Sequence, residues 1–226
     1  WIAAGVMGGL AVLLRLALPR QPPQAVLPYG ALLRSLVDLV REEPVLRLHS
    51  LLGALTFAAF SAFWTTLALH LQALPQHYGP RVAGLFGVVG VAGAVAAPLV
   101  GRYTDRGGDR RINALAIGVL FVSFLVLGVA GEGLVGIALG VILLDLGAQA
   151  NHISNQTRVY ALRPEARNRL NTVYMVTYFV GGALGAGAGS TAWSHAGWSG
   201  VCAVGAGFSL LALMLLGLAR TRSPVA

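Results

Sequence analysis

The sequence contains no lysine, one cysteine and few acidic residues, and each shortage excludes a class of function. All 16 basic residues are arginine and only eight acids oppose them, so the net charge is +8. Without lysine the chain cannot form a Schiff base, as a retinal protein must. A single cysteine, Cys202, supports neither a disulfide framework nor a thiolate metal site. The arginines form short clusters between apolar runs without an aromatic-interleaved basic face, so we expect no nucleic-acid partner.

Apolar residues are in excess instead. Hydrophobic residues make up 56% of the chain and charged residues 11%, and the mean hydropathy is +0.73. Soluble domains contain about 45–50% apolar residues, so the composition favours a bilayer as solvent. Seven stretches are long enough to cross it as helices, which makes the expected fold an all-α integral membrane bundle. These stretches are residues 1–18, 50–71, 80–101, 112–130, 134–156, 170–193 and 200–218.

The arginines predict the orientation of these spans. All except Arg81 lie at the chain's end or in the connections on one side of the predicted membrane. By the positive-inside rule that side, together with the C-terminus, is cytoplasmic. We therefore expect a multi-pass protein of a bacterial inner membrane, in contact with lipid.

The only long connection, residues 19–49, has a proline-rich beginning and an amphipathic second part. Leucines and a valine recur there at helical spacing, which favours a helix lying on the cytoplasmic membrane surface. An ordered linker that serves only as a spacer is the alternative. The apolar positions are Leu32, Leu33, Leu36, Leu39 and Val40.

A charged loop interrupts the apolar pattern after the third stretch. Its sequence, GRYTDRGGDRR, resembles the loop G-x-x-x-D-R-x-G-x-R-R of the major facilitator superfamily of secondary transporters, and it occurs between two helices as that motif requires. Asp109 stands where many members carry a basic residue. The matching positions are Gly101, Asp105, Arg106, Gly108, Arg110 and Arg111.

The resemblance implies a gating role for this loop. In the superfamily the aspartate pairs with a helix end of the opposite half and with arginines, which closes the cytoplasmic side. Asp105 would then be the latch, with Arg106, Arg110 and Arg111 as its partners. The alternative is a basic loop that sets topology without gating.

The resemblance extends over the whole chain and implies its domain organisation. Residues 1–18 correspond to the last helix of an N-terminal half, and residues 19–49 to the linker between halves. Residues 50–220 correspond to a C-terminal six-helix domain and residues 221–226 to a cytoplasmic tail. The N-terminal half of the same protein is therefore an expected partner, because it would form the other wall of the cavity.

The fifth stretch carries a polar stripe within an apolar helix. At 100° per residue its four members occupy a sector of about 60°. Asp145 is near mid-membrane, where an acid costs roughly 2.5–3.5 kcal/mol, so it must face protein or water. We expect it to carry or couple a proton, with His152 as a relay or ligand contact; a structural hydrogen bond is the alternative. The stripe consists of Asp145, Gln149, His152 and Gln156.

Aromatic side chains indicate a second candidate surface. One face of the second stretch has the apolar, aromatic character of small-molecule sites, although packing between helices would use the same residues. Two tyrosines of the sixth stretch share its glycine-lined face. Packing between helices is the favoured interpretation for them, and contact with substrate is the alternative. These candidates are Phe57, Phe60, Ser61, Trp64, Tyr174 and Tyr178.

The expected function is secondary active transport of small molecules by alternating access, as proton-coupled efflux. An importer of a small metabolite and a transport-inactive membrane sensor or receptor are the alternatives. No nucleophile with its base is recognisable and the five histidines are scattered, so we expect neither an enzyme nor a metal site. No cofactor is expected, because a proton gradient would supply the energy.

Overall fold

The computed structural model describes residues 1–17, 28–104 and 109–219. Every regular element in these ranges is helical, which confirms the predicted all-α fold. The helices are α1 (Ile2–Ala17), α2 (Tyr29–Glu42), α3 (Pro44–Ala73), α4 (Pro80–Thr104), α5 (Asp109–Ala130), α6 (Leu134–Tyr160) and α7 (Arg167–Leu218), with a 3-10 turn at Pro164–Ala166. The expected tail, residues 221–226, and the first part of the expected linker, residues 19–27, lie outside the described ranges.

The chain divides into two compact units, Trp1–Arg34 and Ser35–Ala226. The first contains α1 and the beginning of α2, and the second contains the packed helices α3 to α7. Within the described residues, four helical segments are long and apolar enough to cross a membrane: Pro44–Ala73, Arg110–Ala130, Leu134–Tyr160 and Pro164–Leu218. Several apolar crossings in one chain make this a multi-pass membrane protein.

Two helix boundaries are of particular interest. Helix α3 begins at Pro44, before the apolar stretch that starts at residue 50. The sequence predicts this start, since acids and a proline at positions 42–44 suit a first helical turn, and Glu43 is extended. The last two expected spans are the two arms of α7, which meet at Gly197, within the turn expected between residues 193 and 200. Gly197 has φ 58° and ψ −145°, a conformation that side chains with a Cβ rarely adopt. It separates two arms, residues 167–196 and 198–218.

Helices α3 and α7 pack backbone against backbone through facing rows of small residues. Glycines of α7 at positions 181, 185 and 189 lie against alanines of α3 at positions 54, 58 and 62. A Cβ added at Gly189 would come within 2.7 Å of the Cα of Ala62, and one at Gly185 would meet the backbone of Ala58. The G-x-x-x-G spacing of the sequence therefore marks a close helix contact, as small residues do in membrane bundles.

We expect Gly185→Val to destabilise the protein by about 1–3 kcal/mol, because the new side chain must push apart the backbones of α3 and α7. Gly187→Val is the matched control, since nothing lies within 4 Å of a Cβ at that position. Thermal unfolding in detergent measures the difference. Equal unfolding temperatures for the two variants would contradict the described contact.

The junction between α2 and α3 is attached to the turn that precedes α7. Arg163 Nε donates to Glu43 Oε1 at 2.8 Å, and its Nη2 donates to Glu42 Oε2 at 3.0 Å. The hydrogen bond with Glu42, followed by that with Glu43, raises the pKa of Arg163 above its ordinary value. Beneath this ion pair Leu39 and Leu46 are buried in one apolar cluster with residues of α6 and α7. The end of α2 therefore packs on protein.

Candidate functional site

The predicted aromatic residues of α3 and α7 meet in one continuous patch. The rings of Phe57 and Tyr178 stack with centroids 4.0 Å apart and an interplanar angle of 12°. Phe60 lies 5.9 Å from Phe57, and Trp64 lies 6.0 Å from Phe60. Ser61 is beside this row, where a Cβ at Gly182 would lie 3.2 Å from its Oγ. Two stretches that the sequence suggested separately thus form a single surface.

His152 of α6 connects this patch to a third helix. Its ring centroid is 4.6 Å from that of Tyr178 and 5.6 Å from that of Tyr174. The distance between His152 Nδ1 and Tyr174 Oη is 3.1 Å, which is a hydrogen bond. Tyr174 is itself fully buried, and its ring fills the space beside Gly53 of α3. We call this set the aromatic surface: Phe57, Phe60, Trp64, His152, Tyr174 and Tyr178.

The polar stripe of α6 does not face a single neighbour. Asp145 contacts α4 at Gly90 and Gly93, whereas His152 contacts α7. Gln156 donates from Nε2 to the sulfur of Met175 on α7 at 3.8 Å, and Gln149 is half-buried between these positions. The four side chains share one side of α6, but that side meets two different helices.

The carboxyl group of Asp145 is buried where α6 meets α4. The residue is 6% exposed. Its Oδ2 has no hydrogen-bond partner within the described part of the chain. Burying a carboxyl oxygen without a hydrogen-bond partner costs free energy. Acidic residues that are kept inside a membrane bundle despite this cost commonly bind and release protons.

Only part of the predicted gating loop falls within the described residues. Gly101 belongs to α4, while Asp105, Arg106 and Gly108 lie outside the described ranges. Arg110 and Arg111 are exposed in the first turn of α5. Arg110 donates from Nη2 to the carbonyl oxygen of Gly217 at 2.9 Å and from Nη1 to that of Ala219 at 3.1 Å. A cation there satisfies the carbonyls at the end of α7.

A buried polar network that the sequence analysis missed connects α3, α5 and α6. Asn151 is its centre: its Nδ2 donates to Asn113 Oδ1 at 2.7 Å, and its Oδ1 accepts from Asn155 Nδ2 at 2.9 Å. Thr56 Oγ1 also lies 2.9 Å from Asn151 Oδ1. His49 Nδ1 lies 2.8 Å from Asn155 Oδ1, which joins α3 to α6.

The spacing of two asparagines on α6 was the available signal for this network. Asn151 and Asn155 are four residues apart, so they share a face, and both are completely buried. Polar residues buried in a membrane bundle must find partners on neighbouring helices. The polar network comprises His49, Thr56, Asn113, Asn151, Ser154 and Asn155.

Comparison with known proteins identifies the family. The model of the Major Facilitator Superfamily matches residues 1–186. The uncharacterized transporter YgaY of Escherichia coli O157:H7 is 39% identical over 215 residues, which cover 95% of this chain and 55% of that protein. A probable sugar efflux transporter of Helicobacter acinonychis (strain Sheeba) is 29% identical over 212 residues, covering 92% and 53%. The chain thus spans about half the length of these relatives.

The fold agrees with this identification. The crystal structure of an auto-inhibited POT family peptide transporter aligns with a TM-score of 0.66 at 16% identity, covering 81% of this chain and 39% of that one. An identity this low shows a shared fold alone. Since the family model matches most of the sequence, the chain belongs to the Major Facilitator Superfamily.

Proposed function

We propose that this chain forms one half of a secondary active transporter that exports small molecules in exchange for protons. The observation that carries the proposal is the pairing of an aromatic surface with a separate buried carboxyl in a superfamily bundle. An aromatic surface suits ligand binding, and an unpaired carboxyl suits proton binding. The N-terminal half would complete the cavity. The protein would be located in a bacterial inner membrane, with its C-terminus in the cytoplasm.

The aromatic surface is the proposed substrate wall of this half. Phe57, Phe60, Trp64 and Tyr178 are half-buried, so part of each ring is still available for contact. Stacked rings offer apolar faces, while Ser61 and the phenol of Tyr178 offer hydrogen bonds. Tyr174 supports the surface from beneath, because it is fully buried and bonded to His152.

We expect Phe57→Ala to raise the KM for substrate about two- to tenfold, because the substrate loses contact with the ring that stacks on Tyr178 and an aromatic contact contributes about 0.5–1.5 kcal/mol. The maximal rate should change less than KM, since Phe57 is not part of the proton pathway. Phe121→Ala on α5, outside the aromatic surface, is the control. A KM equal to that of the unmodified protein would remove Phe57 from the substrate wall.

The buried carboxyl of Asp145 is the proposed proton-coupling group. Asp145 meets α4 whereas the aromatic surface joins α3, α6 and α7, so the proton and substrate would occupy different interfaces of the bundle. For the latch of the cytoplasmic side we keep the proposal of Asp105 with its partners Arg106, Arg110 and Arg111. For Arg110 a second role competes with the latch, because its guanidinium is bonded to the end of α7.

Export is the proposed direction, supported by the relative that is named as a probable sugar efflux transporter. Cells that lack the gene should accumulate more of a transported compound than cells that express it. A panel of labelled sugars and amphipathic compounds, compared in the two strains, measures this accumulation. Higher accumulation in the expressing cells would indicate an importer, and equal accumulation of every compound would favour a transport-inactive sensor.

A further inference from the structure

Helices α4 and α6 touch at the point where Asp145 is buried. A Cβ at Gly90 would lie 2.8 Å from Asp145 Oδ2 and 3.1 Å from its Cγ. One turn later, a Cβ at Gly93 would lie 2.5 Å from the carbonyl oxygen of Ile142 and 3.0 Å from the amide nitrogen of Leu146. The missing side chain at Gly93 lets the two backbones approach, and the missing side chain at Gly90 leaves space for the carboxyl.

Among the described glycines of α4, Gly90 faces the carboxyl group of Asp145 and Gly93 faces its Cβ. Gly84 and Gly87 lie on the same helix, yet a Cβ at either would have nothing within 4 Å. Asp145 in turn is 6% exposed, and its Oδ2 has no hydrogen-bond partner within the described residues. The unpartnered, buried Oδ2 of Asp145 therefore lies against Gly90, where the absence of a side chain leaves room for it.

We propose that Gly90 positions the carboxyl of Asp145, so that proton binding by Asp145 depends on how closely α4 approaches α6. The inference rests on the proposed function, in which Asp145 couples a proton. It adds that helix α4 is the element whose position is linked to proton binding. Movement of α4 changes the surroundings of the carboxyl directly. It leaves in place the hydrogen bond between His152 and Tyr174, which joins α6 to α7.

No other ionisable side chain described on α6 or on the helices packed against it is bonded to the carboxyl group of Asp145. Helix α6 packs against α3, α4, α5 and α7. Among the described residues, none of their ionisable side chains forms a hydrogen bond or ion pair with the carboxyl group of Asp145. These side chains include His49 and His70 of α3, Arg81 of α4, Arg110 of α5, His152 of α6, and Tyr174 and Tyr178 of α7. The contact with Gly90 is therefore the feature to change.

Labelling with dicyclohexylcarbodiimide tests the inference without a transport substrate. This apolar reagent reacts with protonated carboxyl groups, and mass spectrometry of the complete gene product in liposomes gives the labelled fraction of Asp145 at each pH. We expect Gly90→Ala to move the midpoint by about one pH unit, which changes labelling about tenfold on the flank of the curve. Gly87→Ala should leave the midpoint unchanged. Identical midpoints for Gly90→Ala and the unmodified protein would overturn the inference.

A stability cycle covers the case in which Gly90→Ala folds poorly. The methyl group should lower the unfolding temperature when Asp145 is present and lower it much less in an Asp145→Ala background, because the displaced carboxyl is then absent. An equal loss, or failure to fold, in both backgrounds overturns the proposal. Labelling requires no flux, so a protein that transports nothing can still show the Gly90 effect, which separates this inference from the proposed function.

Discussion

Asp145→Asn is expected to abolish pH-driven transport by the complete protein in proteoliposomes. Asparagine matches the shape of aspartate closely, so packing against Gly90 and Gly93 should survive. It cannot take up and release a proton at physiological pH, so a pH gradient loses its means of driving substrate uphill. We expect the pH-dependent part of the flux to fall to the level of liposomes without protein.

Two controls make this result interpretable. Asp38→Asn removes an acid from α2, outside the spanning helices, and should leave transport unchanged. Downhill exchange of substrate without a pH gradient should persist in Asp145→Asn, since the aromatic surface is intact. If Asp145→Asn keeps the full pH dependence of the unmodified protein, Asp145 is a packing residue and another group carries the proton.

Asn151→Leu is expected to destabilise the bundle by about 2 kcal/mol. Leucine has a similar volume, but it cannot form the hydrogen bonds that Asn151 makes with the hydroxyl of Thr56 and with the side-chain amides of Asn113 and Asn155. Interhelical hydrogen bonds in membranes contribute about 0.6 kcal/mol on average and up to about 1.7. Asn151 takes part in two of them, with Thr56 and Asn113, and in a third bond within α6, to Asn155. Because they join α3, α5 and α6, the loss should lower the unfolding temperature of the whole bundle.

Asn168→Leu is the matched control for this substitution. Asn168 is exposed near the start of α7 and lies outside the polar network, so its replacement should change stability little. Thermal unfolding in detergent, followed by loss of the monodisperse species, compares the two variants. Equal unfolding temperatures for Asn151→Leu and Asn168→Leu would show that the polar network adds no stability.

Hydropathy predicted the helices well because a bilayer imposes one requirement on each span, a sufficiently long apolar run. It could not locate their ends. The beginning of α3 depends on Pro44 and on the ion pairs that Arg163 makes with Glu42 and Glu43. The division of α7 depends on the backbone angles of Gly197, which no average over side chains reports.

The residues proposed for the site could be named from the sequence, but the contacts that group them could not. Helical periodicity groups Asp145 and His152 on one side of α6, yet it carries no information on which helix faces each turn. The structure separates them, with Gly90 against Asp145 and Tyr174 against His152. The polar network needed contacts among three helices, which the spacing within one helix cannot give.

Substrate-driven proton movement is the most direct test of the central claim that this half-bundle couples a proton to a small molecule. Proteoliposomes holding the complete protein and a pH-sensitive dye would be given a gradient of a transported compound without an imposed pH difference. The account predicts that the compound's flow drives protons in the opposite direction and that Asp145→Asn abolishes this proton flux. Substrate flux with no accompanying change in internal pH would contradict it.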